Sequence, residues 1–162
     1  LSEKQTAATQ NSLRVKSPLD ARFKSLCLNA LGESVISQYG KLTLASGKTY
    51  SSESYSQEQK GCNYVAKISS GFFAIYSFVQ SSQGDIFAIG RKAKTTDQPT
   101  LSFADTIFFT DIEEDLKLDW IHMVELDTTY TILHTGELGR KCLRAAIDNE
   151  LYFIDISYTS AY

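Results

Sequence analysis

Two histidines, three cysteines and one crowded acidic turn are the residue types here whose chemistry could go beyond packing. His122 and His134 both fall on the inward face that period-two alternation assigns over residues 116–134. With Asp105, the inward acid on a neighbouring strand, they would form a His-His-Asp set of the kind that holds zinc. Two partly buried imidazoles, each with its own hydrogen-bond partner, is the plainer reading and the preferred one. Cys27, Cys62 and Cys142 are widely spaced with no Cys-x-x-Cys, which argues against a zinc cluster. Nothing in the spacing sets a thiol beside an imidazole as a nucleophilic pair requires. Asp111, Glu113, Glu114 and Asp115 offer calcium-type oxygens, but without a spaced ligand pattern or a glycine they read as a solvated loop. The glycines are single turn residues and no Gly-x-x-x-x-Gly-Lys phosphate loop is present. The expectation is a non-enzymatic protein that requires no metal or cofactor.

The elements around these residues point to one domain of mostly β structure. A chain of 162 residues buries roughly two thirds of the surface its unfolded form exposes, enough for a true core. Net charge is -3, with no long basic run, so nucleic acid is not an expected partner. No apolar stretch reaches the ~18–20 residues of a membrane span. Residues 1–16 are polar and read as a flexible arm, leaving 17–162 as the domain. Ser17, Pro18 and Asp20 are suited to start a helix over residues 18–31. Leu19, Phe23, Leu26, Cys27, Ala30 and Leu31 keep helical spacing, and Gly32 is suited to stop it. Val35, Ile36 and Tyr39 would extend it by a turn before Gly40.

Short strand-like pieces then occur near Leu42 and Thr49. After Gly61, alternation and turn residues mark strands over 62–69, 72–80, 85–92, 100–110, 116–126, 129–134, 142–147 and 150–158. Asp127, Thr128 and Thr129 are taken as the tight turn of a hairpin formed by the strands on either side. Short connections predict an antiparallel meander, and about eight such strands predict a closed barrel or a two-sheet sandwich. The strand from Phe72 to Val79 is apolar on both faces. It is either a central strand covered by the helix or one whose outer face meets a partner in a homo- or hetero-oligomer.

Nine Tyr, nine Phe and one Trp give the chain unusual aromatic weight, much of it on the apolar faces. A solid core would use these rings for packing alone. A barrel of about eight strands has room for one small ligand, and rings mixed with polar tips suit such a pocket. Enclosing ~300 Å² of apolar ligand surface is worth a gross ~7 kcal/mol before ordering costs.

Several blocks resemble lipocalins, the calycin barrels that carry hydrophobic molecules. Gly47-Lys48-Thr49-Tyr50 is similar to the family's Gly-x-Trp-Tyr, with Thr49 where the family has Trp. Cys62-Asn63-Tyr64 resembles the opening of the second strand. The segments beginning at Gly90 and Pro99 resemble the family's middle strands. Asp119-Trp120-Ile121-His122 with Leu126-Asp127-Thr128-Thr129-Tyr130 is similar to its Thr-Asp-Tyr hairpin, with Thr128 at the central Tyr. The resemblance implies an antiparallel up-and-down barrel of about eight strands with an N-terminal helix. It also implies carriage of a lipid, retinoid or pigment inside the barrel, and a Cys62–Cys142 disulfide. The pocket would be lined by Phe78, Phe87, Phe103, Trp120, His122, Tyr130, Ile132 and Tyr152, with His122 and Tyr130 as polar contacts.

The chain opens on Leu1 rather than Met, as one trimmed of a leader would. With the implied disulfide, this gives the expectation of secretion or another oxidising compartment. A second resemblance gives the alternative. Gly71-Phe72-Phe73-Ala74-Ile75-Tyr76-Ser77-Phe78-Val79 is similar to a strand of tumour-necrosis-factor-like and C1q-like jelly rolls, which implies a trimer that binds a receptor.

Overall fold

A computed structural model of the chain describes residues 10–56, 64–96 and 121–155. The described residues are mostly β, and their ten strands form one antiparallel sheet that curls into a partial ring. The strands are β1 (Ser12–Pro18), β2 (Ser37–Thr43), β3 (Thr49–Ser51), β4 (Val65–Ile68), β5 (Gly71–Gln80), β6 (Ile86–Thr95), β7 (Ile121–Leu126), β8 (Thr131–His134), β9 (Lys141–Ile147) and β10 (Glu150–Asp155). One helix, α1 (Lys24–Leu31), follows a 3-10 turn at Ala21–Phe23, and a single helical turn, α2 (Glu53–Ser56), lies between β3 and β4.

The N-terminal region departs from the sequence expectation in three ways. Ser12–Pro18 is an edge strand on β2 rather than the end of an arm. Its side chains are mostly exposed, so backbone pairing holds it and no apolar pattern announces it. Pro18 belongs to this strand, where an edge position tolerates its missing N–H, and the helix begins later than residue 18. Asp20 caps the 3-10 turn that leads into it, its carboxylate accepting from the Arg22 N–H at 3.1 Å. Gly32 does end the helix, in the left-handed conformation at φ 73°. Tyr39 lies in β2 instead of a further helical turn. The inward set of that strand is Gln38, Gly40 and Leu42, too polar a series to read as alternation.

The strand order is β1-β2-β5-β4-β9-β10-β7-β6-β8, with β3 on β2 and an added β5–β6 pairing. From β5 the pairings run through β4, β9, β10 and β7 to β6 and return to β5. Neighbours are antiparallel, but the sequential up-and-down order is corrected: β4 pairs with β9 and β10 with β7.

The expected hairpin at residues 116–134 is also corrected. β7 and β8 both lie antiparallel to β6, on the edge opposite β5, and run in one continuing direction. Leu126 faces Ala93 and Thr131 faces Gly90, so residues 127–130 bulge opposite Arg91 and Lys92. The Asp127 N–H donates to the Lys92 carbonyl at 2.8 Å, which pins the bulge to β6 where a hairpin would turn away. A true two-residue turn does form between β9 and β10, where Asp148 and Asn149 both have positive φ, 53° and 66°.

β5 and β6 form the central hairpin and divide the core. Phe73, Ile75 and Phe78 of β5, with Ile86 and Ala88 of β6, pack under Leu42 and Tyr50. On the opposite face, Phe72 and Ala74 join Val65, Val124, Cys142 and Phe153 inside the strand ring. Further along that face Val79 and Ile89 meet Leu19, Phe23 and Cys27 from the helical region. Thus both faces of the strand from Phe72 to Val79 are covered within one chain, which answers the double-sided apolar pattern without a partner. The β5–β6 register shifts between Ile75 and Ser77, adding Tyr76 as a bulge residue. Gly90 sits beside this shift, where a Cβ would collide with the Ala74 carbonyl and the Phe73 ring.

Candidate functional site

The pocket residues expected from the sequence are dispersed over the core. Phe78 is fully buried beneath β2 and β3, and Tyr152 is buried at 3% exposure on β10. His122 stacks on Phe72 at 5.4 Å between ring centroids, at the ring end of the molecule. Phe87, Tyr130 and Ile132 come together at the other end, against Phe23, Val79 and Ile89. Phe103 and Trp120 lie outside the described residues, as do Asp105, Cys62 and the acidic turn at 111–115. The rings thus serve at least three separate clusters rather than one cavity.

The two imidazoles likewise lie in different surroundings. The exposed His134 accepts a hydrogen bond at Nδ1 from Gly136 N–H (3.0 Å) and sets its ring edge-on to Phe87. No group of three or more His, Cys, Asp or Glu among the described residues is placed to hold a metal ion. Cys27 and Cys142 are buried free thiols. Burial pushes both up in pKa. For Cys142 burial, then the nearby Asp155 carboxylate, outweighs Lys67 and Arg140 and carries the thiol to about 11. Such thiols keep their protons at neutral pH and are poor nucleophiles. Asp155 is gripped by the Arg140 guanidinium through contacts of 2.8 and 3.3 Å, on the rim beside Cys142.

The surface of the helical region is chemically richer. Three rings surround the guanidinium of Arg22: its carbon lies 4.8 Å from the Phe23 centroid, 4.7 Å from Tyr76 and 5.0 Å from Tyr130. The rings stand steeply to one another, with interplanar angles of 62°, 65° and 84°, as the walls of a box would. Asp20 closes the site, binding Arg22 Nε at 3.1 Å and accepting from the Tyr76 hydroxyl at 3.3 Å. Each wall has a different local origin. Phe23 comes from the 3-10 turn, Tyr76 from the β5 bulge and Tyr130 from the bulge between β7 and β8. A second guanidinium, Arg91, lies 5.4 Å from the Tyr130 centroid. The sequence showed each ring but not the box, because both bulges that aim them are set by pairing with β6.

Recesses lie beside this region and at the end of the β5–β6 hairpin. One of about 320 Å³ lies between α1 and the segment after it, lined by Lys24, Ser25, Leu28, Ser34, Val35 and Ile36. Its apolar residues include Leu28, 51% exposed, and Ile36, 81% exposed. The other, about 340 Å³, has mainly polar walls that include Asn11, Gln80, Asp85, His134 and Thr135.

No protein-family model, curated protein or solved structure matches this chain. No helix among the described residues is long and apolar enough to cross a membrane.

Proposed function

We propose that the protein is a non-enzymatic binding domain for a small hydrophobic molecule, and that the molecule lies in the recess beside α1 rather than within the strand ring. The observation that carries this reading is the exposure of Leu28 and Ile36 on the walls of one recess. Isolated exposed apolar residues are ordinary; two on a shared concave wall, with Val35 reaching the core behind them, make a surface that gains from being covered. A volume of about 320 Å³ suits a compact ligand, at the small end of the usual range. The ring offers less. Val65, Phe72 and Phe153 fill its described interior at 2% exposure or below. The β4–β9 and β10–β7 pairings, and the run of β7 and β8 along β6 interrupted by the bulge at 127–130, count against the lipocalin order of strands.

Calorimetric titration with retinol and with a medium-chain fatty acid tests the proposal. Leu28→Glu with Ile36→Asp alters exposed side chains only and is expected to weaken binding by at least about tenfold, equivalent to ~1.4 kcal/mol. Binding that survives this pair but is lost in Tyr152→Leu would return the ligand to the ring. Absence of binding to the unaltered chain would reject the carrier reading.

A further inference from the structure

The geometry points to a second site: we propose that the Phe23–Tyr76–Tyr130 box is a receptor for a trimethylammonium group bearing a nearby anion, and that Arg22 occupies it as an internal stand-in. This is independent of the hydrophobic recess and goes beyond it.

Three aromatic faces with a carboxylate at the opening are the chemistry that recognises a quaternary ammonium ion, whose charge is spread over methyl groups that cannot donate conventional N–H hydrogen bonds. Arg22 already shows that a cation is accommodated, 4.7–5.0 Å from all three ring centroids. Its side chain is 49% exposed, and the one ion pair holding it joins it to Asp20, two residues away and 30% exposed. The exposed ion pair adds little, so what Arg22 gives up on leaving is mainly its three ring contacts and its hydrogen bond to Tyr76, and an incoming ammonium regains the ring contacts. Phe23 is 2% exposed and anchored in the core, so that wall remains when the arginine leaves.

Arg91 supplies the second half of the recognition. It lies against Tyr130, and among the described residues the ion pairs are Arg22–Asp20 and Arg140–Asp155, which leave its charge without an acidic partner. A ligand with its ammonium in the box therefore presents an adjoining phosphate or carboxylate to a guanidinium suited to take it. The chemical class is a small soluble zwitterion of the phosphocholine or betaine type.

The test is calorimetric titration of the folded chain and of Arg22→Ala with choline, phosphocholine, glycine betaine and 3,3-dimethylbutanol, the uncharged carbon analogue of choline. Arg22→Ala is expected to bind choline at least about tenfold tighter than the unaltered chain, and dimethylbutanol at least about tenfold weaker than choline. Adding Tyr130→Leu, which keeps an apolar side chain, should abolish choline binding while circular dichroism stays unchanged. Phosphocholine or betaine should bind tighter than choline, and Arg91→Gln should erase that difference. Equal binding of choline and its uncharged analogue, or no choline binding by a folded Arg22→Ala, would overturn the proposal. Capture by phosphatidylcholine vesicles without binding of free phosphocholine would overturn its soluble-ligand form.

Discussion

The two ends of the β5–β6 hairpin are made of similar residues and solve different problems. At the ring end, Phe72 and Ala74 of β5 and Ala93 of β6 lie within strands whose edges are closed by β4–β9 and β7–β10 pairing. Phe72 stands edge-on to Phe153 at 5.5 Å and lies against His122, with the Lys67 ammonium 5.1 Å from its centroid, and both phenyl rings are almost wholly buried. At the helical end, β1 and β8 terminate the sheet and the cover is a short helix. There Tyr76, Phe87 and Tyr130 are only half-buried, and two guanidiniums rest on them. Closure of strand edges uses aromatic residues as filling. A sheet face covered by a short helix leaves the same residue types as surface, which is where binding becomes feasible.

The largest expected consequence of this contrast is a difference in what an aromatic ring is worth. Phe153→Ala at the ring end should cost about 3–5 kcal/mol, because a fully enclosed ring leaves a cavity. Phe87→Ala at the helical end should cost about 1–2 kcal/mol, since the half-buried ring has less surface to lose and water can refill its place. Equal costs in urea denaturation would remove the distinction between the two ends.

The ring end should also carry the stronger alkaline sensitivity. The folded pKa of Cys142 is raised from 9.0 to about 11, so the folded state holds the thiol proton more tightly than the unfolded chain does. Below pH 9 this contribution is fully present. Between pH 9 and about 11 only the unfolded chain releases the proton, and stability falls by about 2–3 kcal/mol. Tyr50 and Tyr152 are raised as well, chiefly by burial, so the comparison is made against Cys142→Ala, in which the slope from pH 9 to 11 should be visibly shallower.

The smallest effect lies where the two ends meet. Ser77, fully buried next to the Tyr76 bulge, has a hydroxyl with no hydrogen-bond partner. Ser77→Ala should raise stability by about 1 kcal/mol, measured as a higher denaturation midpoint at unchanged slope. A loss of stability would show that the hydroxyl contributes to holding the bulge.

Much of the local structure was legible in the residues themselves. Alternation bounded by turns located β5, β6, β9 and β10 closely, because each strand carries enough apolar residues to record its buried faces. Gly32 marked the helix stop, and Asp148-Asn149 marked a turn, because left-handed backbone favours those residue types. β1 was not legible, since its backbone does the pairing and its side chains face water. β2 was hidden by an inward set containing Gln38 and Gly40. At the candidate site, Phe87, Tyr130 and Ile132 were three of eight residues assigned to one barrel pocket; they share a cluster with Phe23 and Val79, and the Arg22 box was not foreseen.

The sequence by itself determined several elements, the strands β5, β6, β9 and β10, the helix stop at Gly32 and the turn at Asp148-Asn149, and that aromatic rings would dominate the interior. Only the tertiary structure decided which strands are neighbours. Residues 121–134 carry a pattern equally suited to a hairpin or to one bulged strand, and the choice fell to β6, whose Lys92 carbonyl holds Asp127. Alternation reports which side of a strand is buried; it carries no record of what buries it. The bulges that turn Tyr76 and Tyr130 toward Arg22 arise from those pairings, so the site they build exists only once the sheet has formed.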